Sequence, residues 1–139
     1  MGSIRRGSTE GFVGRCSELT GRILGAAYDV HARLGPGLLE SAYKFCLVHL
    51  LEQQGFDVET EVPIAIQFDG LVIPTAYRAD SIVDRKILLE LKATEDLSTI
   101  HCMQTRTYLN HSSTEVALLI NFNVKSLVDG IRRFDRRDA

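Results

Sequence analysis

The stretch that decides the fold is RADSIVDRKILLELKA, residues 78–93. Asp80 stands among small and apolar residues, and Glu90 and Lys92 flank a leucine in a run that opens Ile87-Leu88-Leu89. Charge in such surroundings is costly unless it is paired or bound to a cation. Side chains alternate along a strand, so Glu90 and Lys92 share one face and Leu89 and Leu91 the other. A tight turn at Asp84–Lys86 makes the two halves an antiparallel hairpin, and pairing symmetric about Arg85 sets Asp80 opposite Glu90. Directly opposed residues have Cβ atoms about 4.5–5.5 Å apart. Two carboxylates that close repel, and a shared cation relieves the repulsion. Hard oxygen donors of this kind suit Mg²⁺ or Mn²⁺. Lys92 falls one pleat further along the same face, within reach of a water or an anionic oxygen.

Upstream of this hairpin, VETEVPIAIQF alternates as a strand, Asp69-Gly70 is a hairpin turn, and LVIPTAYRADSIV continues extended. Before the strands come two helices. The first starts at Ser17-Glu18 and carries Leu19, Ile23, Ala26, Ala27 and Val30 at helical spacing, until LGPG at 34–37 ends it. The second runs from about Leu38 to Gln54 with a stripe of Leu39, Tyr43, Cys46, Leu47 and Leu50, and Glu40 lies at the edge of that stripe. Downstream, Ser98 caps a helix over about Thr99–Asn110, EVALLINF (115–122) is a strand of the fully buried sort, and SLVDGIRRF is a final short amphipathic piece. The order is α-α-β-β-β-α-β. Tight turns make the first three strands an antiparallel meander, and the crossover helix makes the fourth a parallel neighbour of the third. The fold class is α/β, a mixed sheet with helices packed on it.

A chain of 139 residues, 45% hydrophobic and 24% charged, has the size and composition of one globular domain. We expect a mobile arm over 1–16, with no signal-peptide h-region, and a single domain over 17–139. No apolar run approaches the roughly 20 residues of a membrane span. Cys16, Cys46 and Cys102 are scattered and odd in number, which argues against a disulfide framework and suggests the cytoplasm. A net charge of −2 gives no global attraction for nucleic acid, and the arginines of IRRFDRRDA read as a solvated tail. His31, His49, His101 and His111 lack zinc-ligand spacing, and His31 is placed to cap the end of the first helix. LGPG is a cap rather than a phosphate loop, since no G-K-[ST] follows.

An Asp–Lys–Glu cluster on a half-exposed sheet is common, and the D…E-x-K spacing alone favours that bland origin. Three features count against it: the apolar surroundings of both strands, a further acid at Glu40, and a crossover helix that puts His101, Gln104 and Tyr108 on one face.

The hairpin D-x9-E-x-K within this element order resembles the PD-(D/E)XK nuclease superfamily. GLLESAY (37–43) is similar to the G-x-x-E-x-x-Y signature of the GxxExxY family, a small branch of it. GAAYDVHARLGPGLLESAY, YRAD, LLELKA, MQTRTYL and ALLINF resemble that family's blocks in order, from about Glu18 to Phe122. Ala79 stands where the superfamily name has its proline. The resemblance implies a restriction-endonuclease-like core and a metal-dependent nuclease. It implies Asp80, Glu90 and the Leu91 carbonyl as ligands of Mg²⁺ or Mn²⁺, with Glu40 as an outer or second-metal acid. Lys92 would orient or deprotonate the attacking water, and Gln104 would help position Lys92 or substrate. Tyr108 and His101 would line the substrate side, and Gly37 and Tyr43 would be structural. The expected partner is nucleic acid, DNA ahead of RNA, with a homodimer or a targeting protein supplying what the small acidic chain lacks. The competing expectation is a nuclease-fold module that binds nucleic acid or a protein without cutting. A metal hydrolase acting on a small phosphate ester is the third.

Overall fold

The computed structural model describes residues 5–6 and 16–136; most of the expected arm lies outside them. A two-residue strand β1 (Arg5–Arg6) is followed by helices α1 (Ser17–Leu34) and α2 (Glu40–Gln53). Strands β2 (Val58–Phe68), β3 (Leu71–Val83) and β4 (Ile87–Lys92) come next, then helix α3 (Thr99–His111) and strand β5 (Val116–Asn121). A 3₁₀ turn over Leu127–Gly130 leads into β6 (Ile131–Asp135). The strands form one sheet in the order β1-β6-β5-β4-β3-β2. The meander β2-β3-β4 is antiparallel and β4 runs parallel to β5, so the expected mixed sheet is the one observed. No helix among the described residues is long and apolar enough to cross a membrane.

Both hairpin turns put two consecutive residues at positive φ: Asp69 (51°) with Gly70 (81°), and Asp84 (49°) with Arg85 (58°). Such turns match the twist of the flanking strands. Left-handed backbone is costly for a residue with a Cβ, and at Asp84 it is held in place from outside. The Asp84 carboxylate accepts the Asp57 N–H at 2.9 Å, and the Asp84 N–H donates to the Asp57 carbonyl at 2.8 Å. This staple fixes the register Val83↔Ile87, Ile82↔Leu88, Ser81↔Leu89.

β4 and β5 are covered on both faces. Ile87, Leu89 and Leu91 pack with Val116, Leu118 and Ile120 under α1 and α2, whereas Leu88, Ala117 and Leu119 face Leu109 of α3. Near-continuous apolar sequence in both strands follows from that double burial.

The last segment departs from expectation. SLVDGIRRF, read as a short amphipathic piece, is a 3₁₀ turn followed by a strand antiparallel to β5. Gly130 makes the fold-back possible, since a Cβ there would sit 2.2 Å from the Asn121 carbonyl oxygen. Along β6, Ile131 joins the core under α1 and α2, and Phe134 joins the core facing α3. Arg133 shares the parity of Ile131 and is fully buried, bonding Asp135 through Nε and Nη2 and Thr20 of α1 through Nη1 at 3.1 Å. An arginine at a core position disguises the strand. Arg136 donates to the Leu109 and Ser112 carbonyls and so closes the carboxyl end of α3. The tail arginines at 133 and 136 are therefore structural rather than merely solvated.

The loop between α1 and α2 is held by Tyr43, whose ring is buried and stacked on Phe122 at 4.7 Å. Its hydroxyl donates to the Gly35 carbonyl at 2.6 Å and accepts the Leu38 N–H at 3.0 Å. Gly37, at φ 103°, permits the bend between them. His31 reaches across the fold instead of capping its own helix, with Nε2 2.8 Å from the Val124 carbonyl. Tyr43→Phe keeps the ring and leaves both loop groups without their partner. We expect a loss of about 1 kcal/mol, read in urea denaturation as a lower midpoint at unchanged slope.

Candidate functional site

The ladder between β3 and β4 stops at Ser81↔Leu89, one residue short of Asp80 and Glu90. From there the strands splay, and side chains replace backbone pairing. The Asp80 N–H donates to Glu90 Oε2 at 2.9 Å, and the Leu91 N–H donates to Asp80 Oδ2 at 2.8 Å. Each acid thus clasps the backbone of the opposite strand. The register of β3 with β2 also steps over Asp80, running from Thr60↔Ser81 to Val62↔Ala79. Glu61, at the omitted position, has φ 51°. Asp80 therefore sits where the sheet is interrupted on both sides.

Alternation on β4 orients the rest. The Lys92 carbonyl accepts the Phe122 N–H, so Lys92 turns its backbone to β5. Leu91 then turns its N–H and carbonyl to β3, into the gap beside Asp80. Glu90 is 6% exposed, and burial, followed by the Asp80 charge, pushes its carboxyl from an ordinary 4.5 up to about 8. Asp80 is also raised, by burial, against the lowering effect of the Leu91 N–H and the charges of Lys44 and Lys92. Glu40, the first residue of α2, is raised by burial and then by Asp80, and lowered by Lys92 and Lys44. That mutual influence places Glu40 within electrostatic reach of Asp80 and Lys92. Its position at the helix start is set by the Tyr43-bound loop.

The other expected residues lie further out. His101 is committed to the start of α3: Ser98 and His101 form a reciprocal capping box, with the Ser98 N–H donating to His101 Nδ1 at 3.2 Å. Gln104 is on the exposed face of α3. Tyr108 stacks on Tyr77 at 3.9 Å between ring centroids, and the Tyr77 hydroxyl donates to the Tyr108 carbonyl. Burial and the Glu90 charge raise both phenols, so this stacked pair stands beside the acids.

Three residues of the cluster were not singled out from sequence: Lys44, Glu61 and Tyr77. Lys44 follows Glu40 by one helical turn, a spacing that already sets the two on one face. Lys44 and Glu61 form an ion pair and border a groove of about 600 Å³ between α2 and β2. Among the described residues, no group of three or more His, Cys, Asp or Glu side chains is gathered so as to hold a metal ion. The expected donors are two carboxylates, Asp80 and Glu90, each with one oxygen outside the clasp, and the Leu91 carbonyl. That composition suits an ion that retains most of its waters, as Mg²⁺ does with one or two carboxylates.

Residues 17–134 match a family model described as the PD-(D/E)XK nuclease superfamily. No curated protein and no solved structure gives a match.

The raised Glu90 carboxyl has a measurable signature. The folded state holds a proton there that the unfolded chain releases near pH 4.5, so between that value and about pH 8 the folded state binds more protons. Stability of the chelator-treated protein should therefore fall as pH rises through that window. Glu90→Gln can still accept the Asp80 N–H but carries no charge. Its melting temperature should change less from pH 5 to pH 8, and at pH 8 it should exceed the wild type. A flat wild-type profile in thermal melts would contradict this.

Proposed function

The chain belongs to the PD-(D/E)XK nuclease superfamily, and on that premise we propose that it is a metal-dependent nuclease of the GxxExxY branch, acting at Asp80, Glu90 and Lys92. The observation that carries the proposal is the end of the β3–β4 ladder, where a buried Glu90 and a half-buried Asp80 clasp opposite backbones beside an unpaired strand edge. Burial and the neighbouring Asp80 make ionisation of Glu90 costly, and a cation lowers that cost. Asp80, Glu90 and the Leu91 carbonyl are the residues that would hold Mg²⁺ or Mn²⁺, with Glu40 as an outer acid. Bound there, a divalent ion supplies positive charge to the non-bridging phosphate oxygens and makes an attacking water more acidic.

The chain's own residues divide the remaining work. Lys92, on the face of Glu90, holds and orients the attacking water or an anionic oxygen. Glu40 approaches from α2 and accepts protons released at the opening. The stacked Tyr77 and Tyr108 wall the site on the α3 side and limit water there. Gln104, exposed on α3, is available to substrate rather than to Lys92. The substrate is nucleic acid, DNA ahead of RNA. A net charge of −2 gives the chain, alone or as a homodimer, no long-range attraction for nucleic acid, so a targeting protein supplies it, working in the cytoplasm. One observation favours the alternative of a binding module that does not cut: Gln104 is exposed on α3.

The test is cleavage of single- and double-stranded DNA and RNA with Mg²⁺, Mn²⁺ or chelator. We expect metal-dependent cleavage by the wild type and a loss of about a hundredfold or more in Asp80→Ala and in Lys92→Ala. Cleavage surviving in both variants would exclude this site, and a wild type inert on every substrate would favour the binding module.

A further inference from the structure

Lys44 and Glu61 have no part in the nuclease reading above, yet they are built into the same cluster. Lys44 lies one turn beyond Glu40 on α2, with a side chain only 13% exposed, and its ammonium is paired with Glu61 Oε2. Glu61 occupies the register position opposite Asp80 and leaves the ladder through its left-handed backbone. The lysine is thus tethered to the residue whose register position lies across from Asp80.

We propose that Lys44 is the resident counter-cation of the acid cluster, competing with a divalent ion for Asp80, and that Glu61 is the positioning residue holding it back. This rests on the nuclease reading of the site. Lys44 and Lys92 both lower the pKa of Asp80 and of Glu40. Four acids, Glu40, Glu61, Asp80 and Glu90, face two lysines, Lys44 and Lys92, within this network. An entering divalent ion shares Asp80 with a cation already in place, so it binds weakly. A substrate phosphate offers Lys44 another anion and removes the competition. Metal and nucleic acid then bind cooperatively, because each changes what Lys44 neutralises.

The experiment is titration of the full chain with Mn²⁺ by calorimetry, with no nucleic acid present, alongside thermal melts of each variant. Lys44→Met should tighten Mn²⁺ binding by about three- to tenfold, and Lys44→Arg should stay within about twofold of the wild type. Glu61→Gln should weaken binding by about three- to tenfold, and by clearly less when Lys44→Met is also present, since its main effect runs through the lysine. Unchanged or weaker binding in a folded Lys44→Met overturns this inference alone. If Lys44→Met fails to fold, Glu61→Gln decides, and unchanged or tighter binding there overturns it. A wild type with no Mn²⁺ site that Asp80→Asn abolishes overturns both this inference and the metal role on which it rests.

Discussion

The reciprocal clasp between Asp80 and the Glu90–Leu91 backbone is the constraint on which the site depends. A β-sheet has no reason to stop pairing where its strands enter the interior, because unpaired backbone groups there are costly. Here the cost is offset by two side-chain hydrogen bonds at 2.9 and 2.8 Å, which satisfy the Asp80 and Leu91 N–H groups. The same carboxylates that hold the gap open line it. Opening the sheet and furnishing the opening with acids are a single event.

Several otherwise separate features support that gap. The Asp84–Asp57 staple holds an unfavourable turn and so brings Asp80 level with Glu90. Tyr43, pressed on Phe122, fixes the loop that delivers Glu40. The Tyr77–Tyr108 stack ties α3 to β3 on the other side. Each is a contact between segments distant in sequence, and each ends on a residue adjoining the cluster.

The hairpin and its opposed acids were legible because two rules of backbone geometry, turn symmetry about Arg85 and alternation of side chains, are read directly from residue order. Glu40 was legible for a similar reason, as an acid at the edge of an apolar helical stripe. Lys44 and Glu61 were not, because Glu61 leaves its strand's alternation through a left-handed conformation that no local motif announces. β6 was hidden by Arg133, a charged side chain in a core position that is intelligible only once Asp135 and Thr20 are seen to satisfy it. His101 was read as substrate-facing from its helix face, and its capping bond to Ser98 depends on the rotamer chosen.

The sequence closeness of the two acids has a consequence in time. Asp80 and Glu90 are joined by a hairpin whose turn spans Asp84–Arg85, whereas Glu40 and Lys44 reach them from a helix far upstream. Hairpins of this kind form in about 1–10 μs, well before distant segments dock. During folding the acids meet while still in water, where their repulsion is weak. The penalty arises only as α2 and α3 close over them. The charge problem is thus deferred to the last stage of assembly, when Lys44 joins Lys92 together with the burial that makes counter-charge necessary.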